Sequence, residues 1–177
     1  MSLRASLACA LAAVSWAAAA QTPCEPCGAS WALELSGYSH HFQPPSGQYA
    51  LKRWNDRNVG LGLEYRRPWT GGLWVKWTGG AMLDSTNTWS VYGGGVLQMR
   101  VLDSRAFSVD AGAGVFLFNR GFESGQRGWV AGPLPVLSLE HRPTGLGLSF
   151  SFVPKCDLGG RMESPATLYV QATYRIP

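Results

Sequence analysis

Stretch after stretch of this chain carries apolar side chains at every second position, and no long stretch repeats them at helical spacing, which confines the fold to β-sheet. Trp31, Leu33 and Leu35 share one face of the first stretch, with Glu34, Ser36 and Tyr38 on the other. The same alternation runs through 59–66, 73–83, 89–99, 107–117, 134–140, 146–152 and 168–176, making eight predicted strands. Polar connections at 43–57, 119–132 and 155–166 alternate with short turns at 68–72, 102–105 and 143–145. Outer-membrane barrels have an even strand count, and a tilted strand of about 9 to 11 residues crosses a bilayer. One face of the strands is almost uncharged, whereas Glu34, Glu64, Arg66, Lys76, Asp110, Glu140 and Arg175 share the other. A soluble lipocalin-like barrel would turn the uncharged face inward; a membrane barrel turns it to lipid. The uncharged face favours an all-β, eight-stranded antiparallel up-and-down transmembrane β-barrel, one domain over residues 31–177.

The ends of the chain suggest its destination. Arg4 precedes an apolar run from Ala5 to Ala20, which reads as a secretory signal peptide over 1–20, cut after Ala20. No later stretch approaches the roughly 18 apolar residues of a spanning helix. The expectation is a monomer exported to the outer membrane, with residues 21–30 forming a short Cys/Pro-containing tail. Basic residues near strand ends, among them Arg66, Arg67, Arg100, Arg120, Arg142 and Arg175, suit a solvated or headgroup rim, and no motif points to nucleic acid. Cys24 and Cys27 could form a redox pair or half a metal site, but the Pro-rich setting without a helix favours a disulfide among Cys24, Cys27 and Cys156 that leaves one thiol over. No further ligands stand at zinc spacing, so neither metal nor cofactor is expected.

Met82 to Val96 reads as a hairpin with its turn at Thr86 to Thr88. It brings the acid of Asp84 and the hydroxyl of Ser85 together at a strand end, the rim where barrels carry chemistry. Asp-Ser followed by Asn is also ordinary turn chemistry, because these side chains bond their own backbone.

Four segments in order resemble the lipid A palmitoyltransferase (PagP) family: His41 followed by Arg53-Trp54-Asn55-Asp56-Arg57; Asp84-Ser85 with Asn87 and Trp89; Pro133-Leu134-Pro135-Val136-Leu137; and Phe152-Val153-Pro154. The resemblance covers about residues 38–177. It implies an enzyme that takes an acyl chain from an outer-leaflet glycerophospholipid and transfers it to a hydroxyacyl chain of lipid A. The family's catalytic residues map to His41, Asp84 and Ser85: Ser85 would activate or bear the acyl group, His41 would move the proton, and Asp84 would orient the imidazole. His40 competes with His41, since strict alternation puts His40 on the face of Tyr38 and His41 on the other; spacing to Asn55 favours His41.

By the same resemblance Arg53, Asn55 and Arg57 would grip lipid A phosphates, though a solvated loop explains them as well. Pro135 and Pro154 cannot donate ladder hydrogen bonds, so they either leave a gap for lateral lipid access or mark strand ends. Counting from Asp84-Ser85 puts Val96, just after Gly94 and Gly95, at the floor of the acyl pocket, where the family has Gly; the chain accepted would then be somewhat shorter than palmitate. A one-residue slip would restore Gly. The chain departs from the family in its cysteines and in lacking an amphipathic N-terminal helix. Other readings are a non-catalytic structural or adhesion barrel working through its loops, a soluble periplasmic barrel for an apolar ligand, and a deacylase on the same scaffold.

Overall fold

The computed structural model describes residues 28–44, 53–121, 127–157 and 163–177. The expected signal peptide, with Cys24 and Cys27, lies outside these residues. The strands are β1 (Ser30–His41), β2 (Gly60–Pro68), β3 (Leu73–Leu83), β4 (Trp89–Asp103), β5 (Phe107–Gly121), β6 (Arg127–His141), β7 (Leu146–Val153), β8 (Cys156–Asp157), β9 (Glu163–Ser164) and β10 (Thr167–Arg175). Strands β8 and β9 pair only with each other. The remaining eight form a closed antiparallel barrel in which neighbours in sequence pair and β1 closes on β10.

The strands β4, β5 and β6 are longer than the alternation predicts, at 15 residues each. Strand β6 starts at Arg127 rather than near Leu134, because its Gly- and Pro-bearing first half, too irregular to show alternation, pairs all the way up β5 to Gly121. The longer loops share one rim. The opposite rim carries the start of β1, the end of β10 and the tight turns, where Gly71, Gly72 and Gly145 adopt positive φ.

Charged and apolar residues occupy opposite surfaces. Glu34, Glu64, Arg66, Lys76, Asp110 and Glu140 point inward and are buried, while Leu61, Leu63, Trp77, Val115, Leu117 and Leu137 point outward and are exposed. An outer surface of large apolar side chains belongs in hydrocarbon, so the lipocalin-like arrangement is excluded and the barrel is of the outer-membrane type.

Towards the tight-turn rim the interior is filled by ion pairs. Lys76 Nζ lies 2.9 Å from Glu64, Arg66 and Arg175 hold Glu140 at 2.6 and 2.9 Å, and Arg100 holds Asp110 at 2.8 Å. Towards the loops the interior turns apolar: Val96, Phe116, Leu134 and Val136 pack together with Phe118 and Val153. The ion pairs therefore form a floor under a chamber with one apolar wall.

Strand β1 breaks its alternation once. Pairing with β10 shifts between Ser36 and Tyr38, so Gly37 is an extra residue in the ladder. A Cβ at Gly37 would run into the Val170 carbonyl oxygen. Below the bulge Ala32 and Glu34 face the interior; above it Ser39 and His41 do, and His40 faces out.

Removing one partner of a buried ion pair strands the other charge. Lys76→Met is expected to destabilise the barrel by ~3–5 kcal/mol, and adding Glu64→Leu to recover most of it. Urea titration of the lipid-reconstituted protein, read by tryptophan fluorescence, checks this; a double variant no more stable than the single contradicts it.

Candidate active site

The inward turn of His41 brings it to the hairpin between β3 and β4. Its Nε2 lies 2.8 Å from Ser85 Oγ and its Nδ1 lies 3.1 Å from Asp56 Oδ1. The indole of Trp54 stacks on the imidazole with ring centroids 5.1 Å apart. The His41 side chain is only 3% exposed, against 47% for Asp56. His40 instead meets Phe42 edge-on at 5.0 Å, so the bulge decides between the two histidines.

The acid that meets the imidazole is Asp56, not Asp84. Asp84 turns its carboxylate to its own hairpin: Oδ1 accepts from the Thr86 and Thr88 amides at 2.8 and 3.0 Å and from the Thr86 hydroxyl at 2.7 Å. Its Oδ2 accepts from the Ser90 hydroxyl at 2.6 Å and the Gly121 amide of β5 at 2.8 Å. Local turn chemistry thus claims Asp84, and the turn in turn fixes Ser85, with Asn87 at φ 59°.

Segment 53–58 joins the two halves. The Asn55 amide donates to the Ser85 carbonyl at 2.8 Å, the Ser39 amide to the Asp56 carbonyl at 2.9 Å, and the Asn58 amide to the Gly37 carbonyl at 2.9 Å. The side chain expected to bind phosphate at Asn55 is occupied within the protein, donating to the carbonyls of Arg57 and Asp84 and accepting from the Arg57 amide. Arg53 and Arg57 are exposed on the rim.

A cavity of about 390 Å³ opens beneath Ser85. That lies within the roughly 300–1,000 Å³ usual for small-molecule sites. Phe116, Phe118, Leu134, Val136 and Val153 wall one side; Tyr92, Ser149, Ser151, Tyr169 and Gln171 line another. Val96 lines it too, 5% exposed and paired across the ladder with Lys76 of the ion-pair floor, so it stands where the apolar wall ends. Gly94 lies against Phe116, and a Cβ there would meet the ring at 2.7 Å.

The wall is incomplete between β6 and β7. Their ladder runs from Val136 paired with Ser151 to His141 paired with Leu146, so β6 from Arg127 to Pro135 makes no ladder with β7. Pro135 lies one residue beyond the last pair on β6, and Pro154 follows the end of β7; Pro133, Val153 and Pro154 line the cavity beside this opening.

Burial pushes His41 below its ordinary value of 6.5, and the Asp56 hydrogen bond only partly offsets this. The imidazole at neutral pH is therefore uncharged and able to accept a proton. Burial alone would raise Asp84, but hydrogen bonds from Ser90, Thr86, Gly121 and Thr88 outweigh it and hold the carboxyl below its ordinary 3.8.

Asp56 has no assigned role in the sequence, and Arg120, expected there only as part of a basic rim, lines the cavity, where its charge acts on both Asp84 and His41. Asp56 sits inside the Arg-Trp-Asn-Asp-Arg segment, and that acid next to a candidate loop was the available signal. No protein-family model and no curated protein matches the chain. Among solved structures the chain is similar to the Yersinia pestis outer membrane protein Ail in a phospholipid bilayer nanodisc, at 15% identity and TM-score 0.40 over 84% of this chain and 99% of Ail.

The Asp84 hydrogen bonds stabilise the charged carboxylate in the fold. Since its folded value is lowered, its contribution is complete above the ordinary 3.8 and is lost as pH falls through the folded value. Asp84→Asn is expected to lose about 1–3 kcal/mol near neutral pH, with the gap to wild type closing on strong acidification. Unfolding midpoints from pH 2 to 7 test it, and a gap unchanged by acid contradicts it.

Proposed function

We propose that the protein is an outer-membrane acyltransferase that moves an acyl chain from a glycerophospholipid to lipid A. The observation that carries this reading is the hydroxyl of Ser85, 2.8 Å from the imidazole of His41, at the mouth of a chamber with an apolar wall and a side opening. A serine paired with a buried neutral imidazole is the arrangement that activates a hydroxyl as a nucleophile. Here it faces a space suited to a hydrocarbon chain rather than water.

In this reading an outer-leaflet phospholipid slides one chain between β6 and β7, past Pro135 and Pro154, towards Val96. Ser85 Oγ attacks the ester carbonyl while His41 Nε2 takes the serine proton. Collapse expels the lysophospholipid oxygen, which receives that proton from His41. A hydroxyl of lipid A then attacks the acyl-serine and gives its proton to His41, which returns it to the departing Ser85 Oγ and so restores both residues. Arg120 places positive charge at the cavity, where a lipid phosphate would sit, and Arg53 and Arg57 stand on the rim for the phosphates of lipid A. Resemblance in the segments around His41, Asp84-Ser85, Pro135 and Pro154 supports the same transfer. Water in place of lipid A would make the reaction a deacylation.

Because Val96 closes the apolar wall above Lys76, the accepted chain is palmitate-like or shorter. Val96→Gly is expected to shift the transferred chain towards greater length, and an unchanged product would remove Val96 as the limit.

Mass spectrometry of lipid A from cells making the wild type or Ser85→Ala tests the function itself. An added mass of one acyl chain, absent from the variant, is expected. Unaltered lipid A with the protein folded in the outer membrane would leave the non-catalytic barrel that works through its loops.

A further inference from the structure

We infer that Asp56 is the carboxylate that positions His41 for its partnership with Ser85, and that segment 53–58 is the strap that delivers it. This deepens the reading of Ser85 as a nucleophile and rests on it for its purpose, though not for its test.

An ionised carboxylate only accepts, so at 3.1 Å from Asp56 Oδ1 the Nδ1 of His41 must carry the hydrogen. A neutral imidazole protonated at Nδ1 has its lone pair at Nε2, and that atom lies 2.8 Å from Ser85 Oγ. The carboxylate thereby selects the tautomer that can accept the serine proton, and its negative charge stabilises the imidazolium that forms. The other groups acting on the ring, Arg120 and His40, are cationic or neutral and cannot make this selection.

The strap fixes the geometry from both sides. Its backbone bonds to β1 through Ser39 and Gly37, to the hairpin through Ser85, and by an isolated bridge between Tyr38 and Arg57. These bonds occupy the stretch where β1 runs past the end of its ladder with β2, which stops at Leu35 paired with Leu61. Trp54 covers the imidazole face, so the ring is held in plane while its two nitrogens are held in line.

Asp56→Asn separates orientation from mere structure. The amide is the same size, but it can offer hydrogens to Nδ1, which selects the tautomer protonated at Nε2 and points a hydrogen at Ser85.

The test uses the purified full barrel in detergent micelles. Nitrogen-15 NMR reports the tautomer of each of the three histidines, and His41→Gln assigns the resonance of interest. In parallel, intact-mass spectrometry follows the rate at which an alkyl fluorophosphonate labels Ser85. The wild type is expected to show Nδ1-protonated His41, and Asp56→Asn to lose that signature and slow labelling by about 10²- to 10⁴-fold. Asp56→Glu should restore the signature and most of the rate.

Unchanged tautomer and rate in Asp56→Asn overturn the inference while leaving Ser85 reactive. If the wild type does not label, the nucleophile reading fails, and the tautomer alone then decides whether Asp56 positions His41.

Discussion

Inside a bilayer a backbone amide has no water to turn to, so a sheet can cross only when every edge is paired. That requirement explains the closure of β1 on β10 and the long ladders from β2 through β6. It also makes two gaps in the ladders informative, one between β1 and β2 and one between β6 and β7. Between β1 and β2 the upper part of the wall is mended by segment 53–58, which supplies backbone partners and brings Trp54 and Asp56 to the imidazole. Between β6 and β7 the wall is left open above Val136, with prolines on both sides that have no hydrogen to donate. The candidate site and its side opening thus arise where these two ladders stop short.

The interior is arranged in two storeys. Buried charges pair near the tight-turn rim, where Glu64, Lys76, Arg66, Glu140 and Arg175 satisfy one another. Such pairs do little net work for stability, but they cannot be broken singly, and they keep the lower barrel filled. Above them the apolar wall from Val96 to Val153 offers a hydrocarbon-like surface that ends beneath Ser85. Polar side chains from Tyr92 and Gln171 complete the opposite wall, Tyr92 donating to Glu34 and Gln171 to Tyr92.

The fold was legible because alternation needs only local sequence: Leu61 and Leu63 face lipid and Glu64 faces inward, as their parity requires. Where the signal depends on distant partners, it failed. The first half of β6 has no alternation and becomes a strand through its ladder with β5. One extra residue at Gly37 reverses parity above it, turning His41 inward and His40 out, which no count along the strand reveals. Asp84 and Asp56 are equally good acids in sequence. Turn geometry captures the first for Thr86, Thr88 and Ser90, and only the folded strap shows that the second reaches the histidine. The prolines were legible as ladder-breakers; the break they flank required the register of β6 against β7.

On the proposed function, the chamber above the ion-pair floor receives a lipid chain from the membrane through the side opening. A phosphatidylcholine with a photoreactive diazirine near the end of one chain tests it in reconstituted vesicles, with cross-linked peptides identified by mass spectrometry. Parity makes the outcome sharp, because Leu134 and Val136 face the chamber while Leu137 and Val115 face lipid. Cross-links at Val96, Phe116, Leu134 and Val136 are expected; cross-links confined to the outward residues would show that the chain never enters and would contradict the account.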